Sequence, residues 1–253
     1  MVEGVFSHPA GLYPPRQEEP RVNKVVPSFA QAVADVPDGA VIMIGGFGGP
    51  GGMPQRLIVA LRDHGARGLT IISNTAGIPG LGIPAGATPG ATHNILVENG
   101  QVRKVIASFP VSTSASRPNA FELAYREGKV ELELVPQGTL AERIRAGGAG
   151  ISAFYTPTGA GTPIAQGKET RVFDGREYLL EHALKADFAF IRALKADKLG
   201  NLVYRGTSRN FNAVMAAAAR ATIAEVDDIV EPGGLDPEVI ATPGIYVKRI
   251  VKR

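Results

Sequence analysis

The chain has no cysteine, no tryptophan and only four histidines in 253 residues. Without cysteine it forms no disulfide, holds no thiolate-bound metal and carries no Cys nucleophile. His8, His64, His93 and His182 are too scattered to suggest a zinc cluster, so no metal site is expected. Long apolar runs are missing as well. Val41 to Ile44 is typical, far short of the roughly 18 residues that a membrane-spanning helix needs. Neither sign of charge dominates: 27 Lys+Arg against 24 Asp+Glu leave +3, spread without the basic stripe that marks a nucleic-acid partner. The first 23 residues lack the basic start and apolar core of a signal peptide and hold four prolines. These features predict a cytoplasmic protein in which an extended arm, residues 1–22, precedes one domain spanning 23–253.

What remains is the composition of a globular protein with a sizeable core, 44% AVILMFWYC and 20% charged. Apolar, β-branched stretches at 40–46, 69–74, 102–109 and 130–135 alternate with amphipathic ones at 54–65, 121–128 and 139–148. That βαβα rhythm predicts an α/β fold with an open, mostly parallel sheet flanked by helices, Rossmann-like in plan. Later strands are expected at 188–193, 202–204, 222–226 and 245–251, with an alanine-rich helix over 212–221. Glycine and proline gather in four stretches read as loops: 45–52, 77–90, 147–163 and 232–237. Loops at strand ends are where such scaffolds usually hold ligands.

Gly46, Gly48 and Gly51 satisfy G-x-G-x-x-G between a strand and a helix that opens at Pro54. Two readings of this loop fail on missing residues. A dinucleotide site wants an acidic side chain at the end of the second strand, where this chain has Ser73-Asn74-Thr75. A phosphate loop wants Gly-Lys-Ser/Thr, which does not follow. Backbone N–H groups and a helix amino end remain, suited to an anionic or carbonyl-bearing ligand. The alternative is a tight turn that binds nothing.

Asp38 to Phe47 (DGAVIMIGGF), followed by Met53-Pro54, resembles the signature of family I coenzyme A transferases. Ser73 to Gly77, Val135 to Gly150 (VPQGTLAERIRAGGAG), Ala153 to Gly159 (AFYTPTG), Asn201 to Arg205 and Arg209 to Asn212 are similar to successive blocks of that family's A subunit. The resemblance runs from about Asn23 to the C-terminus. It implies the CoA-transferase type of α/β fold and a heteromer of A and B subunits. It also implies acyl exchange: a glutamate attacks an acyl-CoA such as succinyl-CoA, CoA is carried as a glutamyl thioester, and an acceptor 3-oxo acid takes it. That glutamate belongs to the B subunit, so no catalytic nucleophile is expected here. Coenzyme A enters as a thioester substrate, with no permanently bound cofactor.

Glu98-Asn99-Gly100 imitates the B-subunit nucleophile, but its surroundings, VENGQVRKVIASF, resemble an A-subunit segment and make Glu98 a turn residue. For this chain the resemblance implies a glycine loop of Gly45, Gly46, Phe47, Gly48, Gly49, Gly51 and Gly52, with Gln137, Asn74 and Thr75 toward substrate. Each of those three either donates to the substrate or caps its own loop. The glycine loop is one residue longer than the family spacing, and Thr75 replaces a second asparagine. Ser108-Phe109-Pro110 and the Tyr125 to Lys129 stretch resemble 3-oxoadipate transferases. Arg117, the only basic residue of the insert Val111 to Ala120, is either a clamp for a second carboxylate or a solvated loop charge. A CoA-thioester hydrolase or ring-cleaving relative of the same fold is the alternative activity.

Overall fold

The computed structural model describes residues 22–48, 51–78, 92–114 and 116–253. The N-terminal arm up to residue 21, Gly49 and most of the 77–90 stretch lie outside the described residues.

Four strands, β1 (Val41–Ile44), β2 (Leu69–Ile72), β3 (Val102–Ala107) and β4 (Glu131–Leu134), lie side by side, all parallel. On the other side of β1 the sheet continues, again parallel, through β8 (Ala186–Asp197), β10 (Ala219–Val230) and β11 (Val247–Lys252). A short β9 (Leu202–Val203) pairs antiparallel with β8. The central strands are near-continuous apolar runs because both faces of the sheet are covered. Their side chains alternate between two cores. Ile42 and Ile44 pack with Leu57, Leu61, Leu96 and Phe121 on one face, and Met43 packs with Leu140, Ile144, Phe211 and Met215 on the other. Helices α1 (Phe29–Val33), α2 (Gln55–His64), α3 (Asn94–Glu98) and α4 (Ala120–Arg126) therefore cover the first face. Helices α5 (Gln137–Ala149) and α6 (Asn210–Ala217) cover the second. Among the described residues, no helix is long and apolar enough to cross a membrane.

The sequence pattern and the structure differ between residues 147 and 182. Gly147 and Gly148, which fall both in the amphipathic stretch 139–148 and in the expected loop 147–163, belong to α5. A Cβ on Gly147 would lie 2.0 Å from the Leu184 carbonyl oxygen, and one on Gly148 would lie 2.9 Å from Ala217 Cβ. Close packing of α5 thus outweighs the low helix propensity of the pair. The expected loop also contains β5 (Ala153–Thr156), which joins β7 (Arg176–His182) and β6 (Thr170–Phe173) in a separate antiparallel sheet of order β5-β7-β6. Arg143 ties this sheet to the main one, donating from Nε to the His182 carbonyl (2.7 Å) and from Nη1 to Glu133 (2.8 Å).

Candidate functional site

Because β1 to β4 are parallel, their carboxyl ends form one row, which brings the glycine loop, Ser73–Thr75, Ser108–Pro110 and Pro136–Gln137 to the same edge. Strand order reverses between β1 and β8, the place where open α/β sheets leave a crevice.

The glycine loop is held from below by Asn212, fully buried in the first turn of α6. Its Nδ2 donates to the Gly52 carbonyl (2.9 Å) and its Oδ1 accepts from the Arg192 N–H (3.0 Å) on β8. Gly45 and Gly52 make this clamp possible. A Cβ at Gly45 would sit 1.9 Å from Asn212 Oδ1, and one at Gly52 would sit 2.7 Å from Asn212 Nδ2, at a φ of +81° that favours glycine. Within the loop Phe47 N–H donates to the Gly51 carbonyl (3.3 Å) and Gly51 N–H to Gly48 (2.9 Å).

Phe47 stacks on Phe211, ring centroids 6.0 Å apart and 17° from coplanar. The two rings wall a cavity of about 420 Å³ whose other sides include Gln137, Ala141, Thr207 and Asn210. Gln137 is the first residue of α5, following Pro136. Its exposed amide forms no side-chain hydrogen bond among the described residues and is available to a ligand. The structure therefore unites Gln137 with Phe47 of the glycine loop.

Asn74 and Thr75 lie elsewhere on the row, buried at the end of β2, and line no part of that cavity. The Asn74 carbonyl accepts from the Ser108 (3.2 Å) and Phe109 (2.9 Å) N–H groups, while its buried side-chain oxygen has no partner among the described residues. The Thr75 hydroxyl accepts from Gly77 N–H (3.3 Å), a local turn contact. His93, fully buried, donates from Nε2 to the Thr75 carbonyl (2.7 Å). Burial pushes its pKa down to about 4, against the opposing pull of that hydrogen bond, so the ring is neutral at pH 7. Glu98 is exposed at the end of α3 and accepts from Asn94 Nδ2 (2.5 Å). Arg117 is exposed on the β3–α4 connection, its N–H donating to the Ser114 carbonyl (3.1 Å), and lines no part of the cavity.

At the amino end of α2, where the glycine pattern points to a ligand, the first N–H groups are met by a side chain of the chain itself. Glu225, fully buried on β10, already fills it, accepting from Arg56 N–H (2.9 Å) and Leu57 N–H (3.1 Å). Arg253 Nε lies 2.9 Å from its second oxygen. Burial pushes the Glu225 carboxyl up, while Leu57 N–H and Arg253 pull it down. The chain thus supplies its own anion where a dinucleotide would place its pyrophosphate. Sequence reasoning missed Glu225 and Asn212. The available signals were an acidic residue within the apolar strand TIAEV and a polar Asn-x-Asn opening an alanine-rich helix.

Fold and cavity together define an α/β protein that offers amide and aromatic groups at its strand ends and has its dinucleotide position closed. Residues 26–253 match the coenzyme A transferase family, and the chain belongs to that family. It is 53% identical over 230 residues to the A subunit of 3-oxoadipate CoA-transferase from Pseudomonas putida, covering 91% of this chain and 94% of that one. It is 52% identical over 216 residues to the A subunit of succinyl-CoA:3-ketoacid coenzyme A transferase from Xanthomonas campestris pv. campestris (strain B100), covering 85% and 83%. The crystal structure of an acyl-CoA transferase apoenzyme from Escherichia coli O157:H7 superposes with a TM-score of 0.73 at 25% identity, covering 93% of this chain and 48% of that one.

Proposed function

We propose that this chain is the A subunit of a cytoplasmic 3-oxoacid coenzyme A transferase, working with a B subunit to move CoA from succinyl-CoA to a 3-oxo acid. The preferred acceptor is 3-oxoadipate, with acetoacetate next. The names of the Pseudomonas and Xanthomonas relatives support both this role in a heteromer and the substrate class. One observation carries the reading: the cavity between Phe47 and Gln137 has donors but no carboxylate, lysine or cysteine among its lining residues. It has the make-up of half an active site.

The reaction places the B-subunit glutamate against the thioester carbonyl, so negative charge develops on that carbonyl oxygen before CoA leaves. The Gln137 amide, at the amino end of α5, stabilises this charge by hydrogen bonding, and the helix dipole adds to it. Phe47 and Phe211 exclude water from the bond being exchanged, which favours transfer over hydrolysis. Asn74 and Thr75, buried at the end of β2, support the strand-end row from outside the cavity, Thr75 by holding its own turn. Coenzyme A comes and goes as substrate.

The A/B enzyme assayed with succinyl-CoA, with and without acceptor acid, tests this. Formation of the acceptor's CoA thioester at the expense of succinyl-CoA is expected. Equal CoA release with and without acceptor would show a hydrolase instead.

A further inference from the structure

A second cavity, of about 330 Å³, opens at the strand-order reversal, lined by Gly51, Gly52, Arg192, Arg205, Thr207 and Asp227 among others. Thr207 lines the Gln137 cavity too, so the two spaces are neighbours across one residue. The position follows from strand lengths. Ile44, the last residue of β1, pairs with Phe190, whereas β8 runs on to Asp197. Arg192 therefore projects where β1 has ended and the glycine loop takes its place. Asn210 Nδ2 donates to the Gly51 carbonyl (3.1 Å) and Asn212 Nδ2 to Gly52, fixing this wall as bare main chain.

The charges in this cavity do not balance. Asp227 already accepts from Arg192 Nη2 (3.2 and 3.3 Å) and lies 3.4 Å from Arg253 Nη1. Arg205 has no ion-pair partner among the described residues. Its main chain is fixed, since the Ser208 N–H (3.1 Å) and hydroxyl (2.7 Å) both donate to the Arg205 carbonyl. An arginine on an anchored turn, lining together with main-chain Gly51 and Gly52 a cavity that adjoins the Gln137 cavity, is suited to a planar anion.

We propose that this second cavity receives the distal carboxylate of a 3-oxo dicarboxylic acid and that Arg205 is the specificity-determining residue. The inference rests on the transferase reading above and names the substrate class of that site. With the reacting end of the acid beside Gln137, its far end reaches past Thr207 to Arg205. An acceptor with a second carboxylate needs such a cation, because stripping water from an unpaired carboxylate is costly. A 3-oxo monocarboxylic acid leaves the pocket to water. Arg117 lines neither cavity and has no part in this choice.

The test compares Arg205→Met, Arg205→Lys and Arg117→Met in the A/B enzyme, with 3-oxoadipate and acetoacetate as acceptors. Arg205→Met lowers kcat/KM for 3-oxoadipate by about 10- to 100-fold, the range of a lost charged hydrogen bond, chiefly through KM. Acetoacetate changes by less than about twofold, Arg205→Lys falls between, and Arg117→Met matches the parent. Equal effects of Arg205→Met on both acids, no effect on either, or loss of 3-oxoadipate activity in Arg117→Met alone would overturn the assignment. If neither acid accepts CoA, the transferase reading fails by itself. Calorimetric titration of the complex with adipate then decides: binding lost in Arg205→Met supports the pocket, and equal or absent binding removes it.

Discussion

Glu225 and Leu57 are 168 residues apart in sequence, yet the Glu225 carboxylate accepts the Leu57 N–H at 3.1 Å inside the core. This contact closes the helix end that a glycine-rich turn ordinarily offers to phosphate. Replacing Glu225 by Ala leaves two helix N–H groups without their acceptor and takes from Arg253 Nε the carboxylate it faces, Arg253 Nη1 keeping Asp227. A loss of about 3 kcal/mol in unfolding free energy is expected from breaking such a buried pair, measured by urea denaturation. A change below about 0.5 kcal/mol would show that Glu225 is not what holds α2 to β10.

His93 makes stability pH-dependent in a defined window. Its pKa is about 4 in the folded chain against an ordinary 6.5. The folded state therefore resists a proton that the unfolded chain accepts. The stabilisation is complete above pH 6.5 and is lost as pH falls toward 4, about 3 kcal/mol in all. Carboxylates held low, such as Asp35 by its hydrogen bonds to Arg249, act at lower pH, whereas Glu225, raised by burial, contributes an opposite slope in both proteins, so the difference between parent and variant isolates the imidazole. His93→Gln flattens the unfolding free energy between pH 6.5 and 4.5. An unchanged slope in the variant would assign the dependence to other groups.

Gln137 is exposed and, among the described residues, bonded to no other side chain, so Gln137→Ala changes stability by less than about 0.5 kcal/mol. In the A/B enzyme it lowers kcat by about 10²- to 10³-fold if its amide meets the developing charge. A variant that melts early with unchanged turnover per folded molecule would make Gln137 a helix-end residue only.

The central strands and the Gln137 helix are legible in the sequence because β-branched runs and amphipathic stretches are local signals. The β5-β7-β6 sheet is not. Thr170–Phe173 is exposed along its whole length and Ala153–Thr156 half-buried along its own, so the alternation that marks a strand with one buried face is weak in both. Gly147 and Gly148 mimic a loop because their reason, contact with Leu184 and Ala217, lies far along the chain. The glycine loop is plain from its spacing, whereas its clamp by Asn212 and the plug by Glu225 join residues more than 150 positions apart. The same distance hides Arg205, whose closeness to Gly51 and Gly52 depends on β8 outrunning β1.

The central claim is that this chain binds and stabilises while its partner forms the bond to CoA. Incubating the A/B enzyme with succinyl-CoA and weighing each intact chain by mass spectrometry tests it most directly. The account predicts a CoA adduct on the partner chain alone, with this chain at its unmodified mass and no transfer by this chain in isolation. An adduct on this chain, abolished by Glu98→Ala, would contradict it.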